Sequence, residues 1–172
     1  VYLHEMPGGQ FTNLKAQARS LGIEHRWDEI AEAYAAANSI FGDIVKVTPT
    51  SKVVGDLALM MVLQDLTRDQ VESPDVEVSF PESVVDMMRG DLGQPLGGWP
   101  EQIQAKVLRG DPASTARPGD HLSPVDLRAE RERLDDTLAR PLMGDEELCS
   151  SLMYPKVFET VVERQVEYGP VD

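Results

Sequence analysis

Apolar residues recur at helical spacing along most of the chain. Leu14, Ala18 and Leu21 fall on one helical face, and Gly22 follows as a stop. Trp27, Ile30, Ala31, Tyr34, Ala37 and Phe41 form a second stripe closed by Gly42. Residues 43–47 alternate with β-branched positions and read as a short extended piece. Pro49 suits a first helical position, where its missing N–H has no partner to lose, and Thr48 before it is an N-cap residue type. Residues 53–63 continue as an apolar, buried helix. Thr67 with Gln70 has the spacing of a capping box. Residues 76–80 alternate again; Pro81 opens a helix carrying Val84, Val85 and Met88, and Gly90 ends it. Gly97-Gly98 makes a turn before Pro100, which starts a helix with Ile103, Val107 and Leu108. Residues 110–122, rich in Pro, Gly, Ser, Thr and Asp, read as an internal linker. Ser123-Pro124 then caps a charged helix running to about Leu138, and two further helices cover 146–153 and 155–166. The pattern is all-α, about eight or nine helices with little sheet, in a single domain over 1–172.

Charge narrows the partners. Thirty acidic residues against sixteen basic ones give a net charge of −14 over 172 residues. That excess argues against nucleic acid and against an anionic membrane surface. No apolar run approaches the length of a membrane span. One cysteine, Cys149, permits no internal disulfide, which fits a reducing compartment and a cytoplasmic location. The chain starts at Val1 without a Met and reads as a piece of something larger.

Few residues offer chemistry. His4, His25 and His121 are far apart and form no local metal motif. Gly8-Gly9 and Gly97-Gly98 lack the phosphate-loop pattern and read as turns. Cys149 and the pairs Met60-Met61 and Met87-Met88 read as core. Gln10 and Asn13 fit a surface, or a ligand if buried. The stretch 46–52 stands out: Lys46, Thr48, Thr50, Ser51 and Lys52 cluster at a helix start. Free backbone N–H groups and the helix dipole there favour an anionic or carbonyl ligand, and a hydroxyl can relay a proton. The plainer alternative is that Thr48 caps the helix and the lysines are solvated.

Several longer blocks carry a family resemblance. They are His4-Glu5-Met6-Pro7-Gly8-Gly9-Gln10-Phe11-Thr12-Asn13-Leu14, then Phe41-Gly42-Asp43-Ile44-Val45-Lys46-Val47-Thr48-Pro49-Thr50-Ser51-Lys52-Val53-Val54-Gly55-Asp56, and Phe80-Pro81-Glu82-Ser83-Val84-Val85. Two more are Gly93-Gln94-Pro95-Leu96-Gly97-Gly98-Trp99-Pro100-Glu101 and Leu152-Met153-Tyr154-Pro155-Lys156-Val157-Phe158. Together they resemble the pyruvate carboxylases, in the C-terminal part of the carboxyltransferase domain. The resemblance implies a helical extension forming a funnel over the mouth of a (β/α)8 barrel.

It also implies a reaction. Biotin, carried on another domain, brings a carboxyl group that passes to pyruvate, giving oxaloacetate. A threonine in a Val-Thr-Pro motif shuttles the proton; Thr48 matches it. A following Ser-Lys pair that bonds the biotin ureido oxygen matches Ser51 and Lys52, and a biotin-pocket glutamine matches Gln10. Thr50 departs from the serine frequent in these enzymes. The divalent metal, such as zinc or manganese, belongs to the barrel, whose ligands are absent from this sequence, as are the pyruvate-binding arginines and the Ala-Met-Lys-Met biotin-attachment sequence. This segment alone is therefore expected to be inactive and weakly self-associating, and the intact enzyme to be a homo-tetramer whose barrel and biotin carrier are its partners. Alternatives are an oxaloacetate decarboxylase α-type subunit or a non-catalytic helical interaction module.

Overall fold

The computed structural model describes residues 4–169, without the side chain of His121. Among them are nine α-helices and no strand: α1 (Gly8–Ser20), α2 (Trp27–Ile40), α3 (Thr50–Leu63), α4 (Arg68–Glu72), α5 (Glu82–Arg89), α6 (Glu101–Leu108), α7 (Leu127–Thr137), α8 (Asp145–Met153) and α9 (Pro155–Tyr168). The all-helical expectation holds. The chain divides into two compact units, one ending at His121 and the other beginning at Leu122. The stretch 110–122, read as a linker, ends at that division.

The first unit is built around α3. Val53, Val54, Leu57, Ala58, Met60 and Met61 are all buried, so the helix is apolar on nearly every side and is enclosed by its neighbours. α2 packs along it through Ile30, Tyr34 and Ala37, α1 through Leu14 and Ala18, and α5 through Val84 and Met87. Leu21, placed by spacing on the buried face of α1, is half exposed, because that helix ends at Ser20 and Leu21 is its cap. The two alternating stretches form no ladder. In 76–80, Val76, Val78 and Phe80 do turn inward, but against helices rather than a strand, so the period-two pattern records an extended wall segment.

Capping explains several helix limits. Thr67 and Gln70 form the reciprocal box: Thr67 N–H donates to Gln70 Oε1 at 2.8 Å, and Gln70 N–H to Thr67 Oγ1 at 3.3 Å. Gly90 closes α5 at φ 102°, where a side chain would be strained. Lys106 of α6 reaches across to the carbonyl end of α4, donating to Val71 and Ser73 carbonyls at 2.6 Å each and to Gln70 at 3.3 Å.

The second unit buries Leu134, Leu148, Phe158 and Val162. Its first helix starts later than the Ser123-Pro124 signal suggests: Asp126 is the N-cap, accepting from the N–H groups of Arg128 and Ala129 at 3.1 Å. Arg140 forks onto Glu147 at 2.9 and 2.5 Å and onto Gln165 Oε1 at 2.6 Å, tying the loop after α7 to α8 and α9. Cys149 is exposed, not core. Leu148 and Ser151 take the inward face of α8, and Cys149 lies about 100° round the helix from Leu148.

Candidate functional site

The hydroxyl-rich stretch before α3 forms a tight turn. The helix begins at Thr50 and Pro49 occupies the N-cap position, so Thr48 lies just outside the helix rather than capping it. The Thr48–Pro49 peptide is cis, and Thr48 is exposed. The residue that closes the turn is Thr50. Its Oγ1 accepts from Val47 N–H at 3.2 Å and lies 2.7 Å from the Val45 carbonyl and 2.6 Å from that of Val47. One proton serves these two carbonyls, so Thr50 donates to one at a time.

Three backbone donors at this helix start are already used. Ser51 N–H donates to Val47 O at 3.0 Å, Lys52 N–H to Pro49 O at 3.1 Å and Val53 N–H to Pro49 O at 3.4 Å. The expectation of free N–H groups for a ligand is therefore corrected for these three: a helical turn continues back to Val47 and takes them up. The side chains of Ser51 and Lys52 remain as the candidate donors.

Those side chains are held differently. Ser51 is buried, and its carbonyl lies 3.5 Å from the hydroxyl of Tyr34, the limit of a hydrogen bond. Tyr34 is fully enclosed, and burial pushes its phenol up to about 12. Lys52 is exposed and donates to Asp56 Oδ2 at 2.6 Å; the same oxygen accepts from Ser83 Oγ of α5 at 2.6 Å. Lys46 is not a solvated charge, since its mostly buried side chain reaches Glu5 at 3.0 Å. Both lysines near the turn are thus partly neutralised by carboxylates.

Gln10 is buried on α1, which decides between its surface and interior readings; Asn13 is exposed. The Gln10 amide lies against Gly55 of α3: a Cβ on Gly55 would overlap Gln10 Nε2 and stand 3.0 Å from Leu14 Cδ1. Gly55 is one turn beyond Ser51, so the two share a face of α3. The fold thereby packs Gln10 of α1 against the face of α3 that carries Ser51, from a segment about forty residues away, while Lys52 and Thr48 adjoin Ser51 in the chain. An apolar groove of about 230 Å³, lined by Ile44, Val45, Val47, Met87, Leu92 and Trp99 among others, borders the same turn.

Other sequence candidates do not join it. Gly8 and Gly9 are the first residues of α1 rather than a turn, whereas Gly97 and Gly98 do turn, at φ 93° and 79°. His4 is half-buried and His25 exposed; the side chain of His121 lies outside the described residues. Among the described residues, no three His, Cys, Asp or Glu side chains come together as a metal site, and no helix is long and apolar enough to cross a membrane. Sequence reasoning missed Gly55, Asp56 and Tyr34. A glycine inside an otherwise strongly apolar helix was the available signal for the first.

Comparison with known proteins identifies relatives of the whole chain. A family model described as "Conserved carboxylase domain" matches residues 1–172. The chain is 47% identical over 169 residues to pyruvate carboxylase of Staphylococcus aureus, covering 98% of this chain and 15% of that protein. It is 48% identical over 172 residues to pyruvate carboxylase 1 of Caenorhabditis elegans, covering all of this chain and 15% of that one. Among solved structures, the carboxyl transferase domain of Rhizobium etli pyruvate carboxylase, determined with pyruvate and biocytin, superposes with a TM-score of 0.94 at 63% identity, over 99% of this chain and 28% of that one. The complete Rhizobium etli enzyme superposes at 0.93 over 99% of this chain and 16% of its own. The chain thus spans about 15% of the length of these curated relatives and a quarter to a sixth of these solved chains. With all 172 residues matched and helices that superpose throughout, the chain belongs to the conserved carboxylase domain family.

Proposed function

We propose that this chain is the helical extension of the carboxyltransferase domain of a pyruvate carboxylase, and that the end of α3 serves carboxyl transfer from biotin to pyruvate, giving oxaloacetate. The observation that carries the reading is that Gln10 packs against Gly55 on the face of α3 that carries Ser51, with Lys52 and the exposed Thr48 adjoining Ser51 in the chain. It is supported by the 63% identity to a domain determined with pyruvate and biocytin.

The residues present fit a biotin ring. A cyclic urea offers one strong carbonyl acceptor and N–H donors. Ser51 Oγ and Lys52 Nζ are donors suited to that oxygen, and the Gln10 amide, seated in the gap left by Gly55, offers both a donor and an acceptor. Biotin supplies the carried carboxyl group. The protein's part is to hold the ring and to manage a proton. Thr48 Oγ1 can accept a proton on one lone pair while giving up its own, so it passes a proton without keeping a net charge. The Asp56 carboxylate, which also accepts from Ser83, holds the Lys52 ammonium. Positioned proton transfer of this type contributes roughly 100- to 10,000-fold in rate.

The rest of the machinery lies outside this chain in the same reading: a (β/α)8 barrel with a divalent metal such as zinc or manganese, a biotin carrier domain, and a homo-tetrameric, cytoplasmic enzyme. The segment by itself is expected to be inactive. In the intact enzyme, Thr48→Ala is expected to abolish oxaloacetate formation while ATP-dependent carboxylation of biotin continues, and Thr48→Ser to restore part of the loss. Near wild-type oxaloacetate formation by Thr48→Ala would refute the role of Thr48.

A further inference from the structure

We propose that Gly55 is a positioning residue for Gln10: the missing side chain on α3 is what seats the Gln10 amide against the helix one turn from Ser51. The inference rests on the reading of Gln10 as a contact to the biotin ring.

The position of Gly55 runs against local preference. It sits in the interior of α3 among Val, Leu, Ala and Met, where alanine is the better helix former. Nothing in its backbone requires glycine, since it is not among the positive-φ residues. What its missing Cβ leaves is room, and two atoms of α1 fill it, Gln10 Nε2 and Leu14 Cδ1. Leu14 is fully enclosed in the core and has no space to retreat. Gln10, in the first turn of α1 with a flexible side chain, is the partner that must move when a methyl group is added. Gly55→Ala should therefore leave α3 intact, or firmer, and push the amide off the face of α3 that carries Ser51. Thr48 and Lys52 keep their own supports, the Thr50-closed turn and Asp56.

The test uses the intact enzyme and the biotin-dependent decarboxylation of oxaloacetate, with free biotin as the probe. Four forms are compared: wild type, Gly55→Ala, Gln10→Met and the double variant. Gln10→Met keeps the bulk and removes the amide. Gly55→Ala and Gln10→Met are each expected to raise KM for biotin by about five-fold, the scale of one hydrogen bond, with kcat little changed. The double variant should be no worse than Gln10→Met, because a shared route is not additive. A wild-type KM in Gly55→Ala alone, or losses that multiply in the double variant, overturns the role of Gly55 and leaves the reading of Gln10 standing. A wild-type KM in Gln10→Met overturns the Gln10 reading and the inference with it. Should Gly55→Ala fail to fold, Gln10→Asn withdraws the amide by one methylene and makes room for the methyl. Gln10→Asn with Gly55→Ala is then expected to fold and to match Gln10→Asn alone; a further rise in KM overturns the proposal.

Discussion

Replacing Thr50 by valine tests how the turn that carries Thr48 is held. Valine keeps the branched shape and removes one hydroxyl. The wild-type Oγ1 makes two hydrogen bonds at once: it accepts from Val47 N–H at 3.2 Å and donates to one of two carbonyls, Val45 at 2.7 Å or Val47 at 2.6 Å. Two such bonds contribute about 2 kcal/mol net at ordinary values. Val45 and Val47 are exposed, so water replaces part of what is lost, and the expected cost falls to about 1 kcal/mol. That corresponds to an opening of the turn about five times more frequent. Amide hydrogen exchange at Val47 and Ser51 reads it directly, because Ser51 N–H is bonded to Val47 O across the turn. Thr50→Ser keeps the hydroxyl and should exchange near the wild-type rate. Unchanged exchange in Thr50→Val, or equal acceleration in Thr50→Ser, would refute the hydroxyl as the closing element.

Two further perturbations test the fold around the site. Lys106→Met removes a cation donating to the Val71 and Ser73 carbonyls at 2.6 Å and should cost about 2 kcal/mol, seen as roughly 30-fold weaker amide protection in α4; unaltered protection would show that water serves those carbonyls as well. In the second unit, the hydrogen bonds from Arg140 hold the Glu147 carboxyl below the usual range. The unfolded state then binds the extra proton first, so this contribution is full above the ordinary glutamate range and disappears as pH falls through the lowered value. Protection of α8 and α9, corrected for intrinsic exchange, should therefore decline on acidification below about pH 4.5, and Glu147→Gln should flatten that decline; a slope unchanged by the substitution would assign it to other carboxylates.

Much of the helical frame is legible in the sequence because burial and period agree there. α2 shows its stripe from Ile30 to Phe41, and the Thr67–Gln70 box forms as its spacing requires. Legibility fails where tertiary contact decides. Val76, Val78 and Phe80 alternate as a strand does, yet their inward side meets helices, and no sequence rule separates the two cases. Cys149 has the neighbours of a core residue but falls on the outer face of α8, since only Leu148 and Ser151 turn inward. At the candidate site, the residue types around position 48 were visible, whereas their order of duties was not. Thr50, rather than Thr48, took the structural hydroxyl role, and carboxylates took up the lysines, Glu5 from a distant segment for Lys46 and Asp56 from the next turn of α3 for Lys52. Gln10 could not be placed from its own helix, because its burial depends on a gap in α3 more than forty residues away.

The central claim is that one end of α3 supplies both a proton-handling group and the contacts that hold biotin. It is tested most directly by separating kcat from KM for free biotin in oxaloacetate decarboxylation by the intact enzyme. Thr48→Ala should lower kcat at least 100-fold with little change in KM, the size expected for a positioned proton-transfer group. Ser51→Ala and Lys52→Met should chiefly raise KM. A Thr48→Ala enzyme with wild-type kcat, or the same loss of kcat in all three variants, would contradict it.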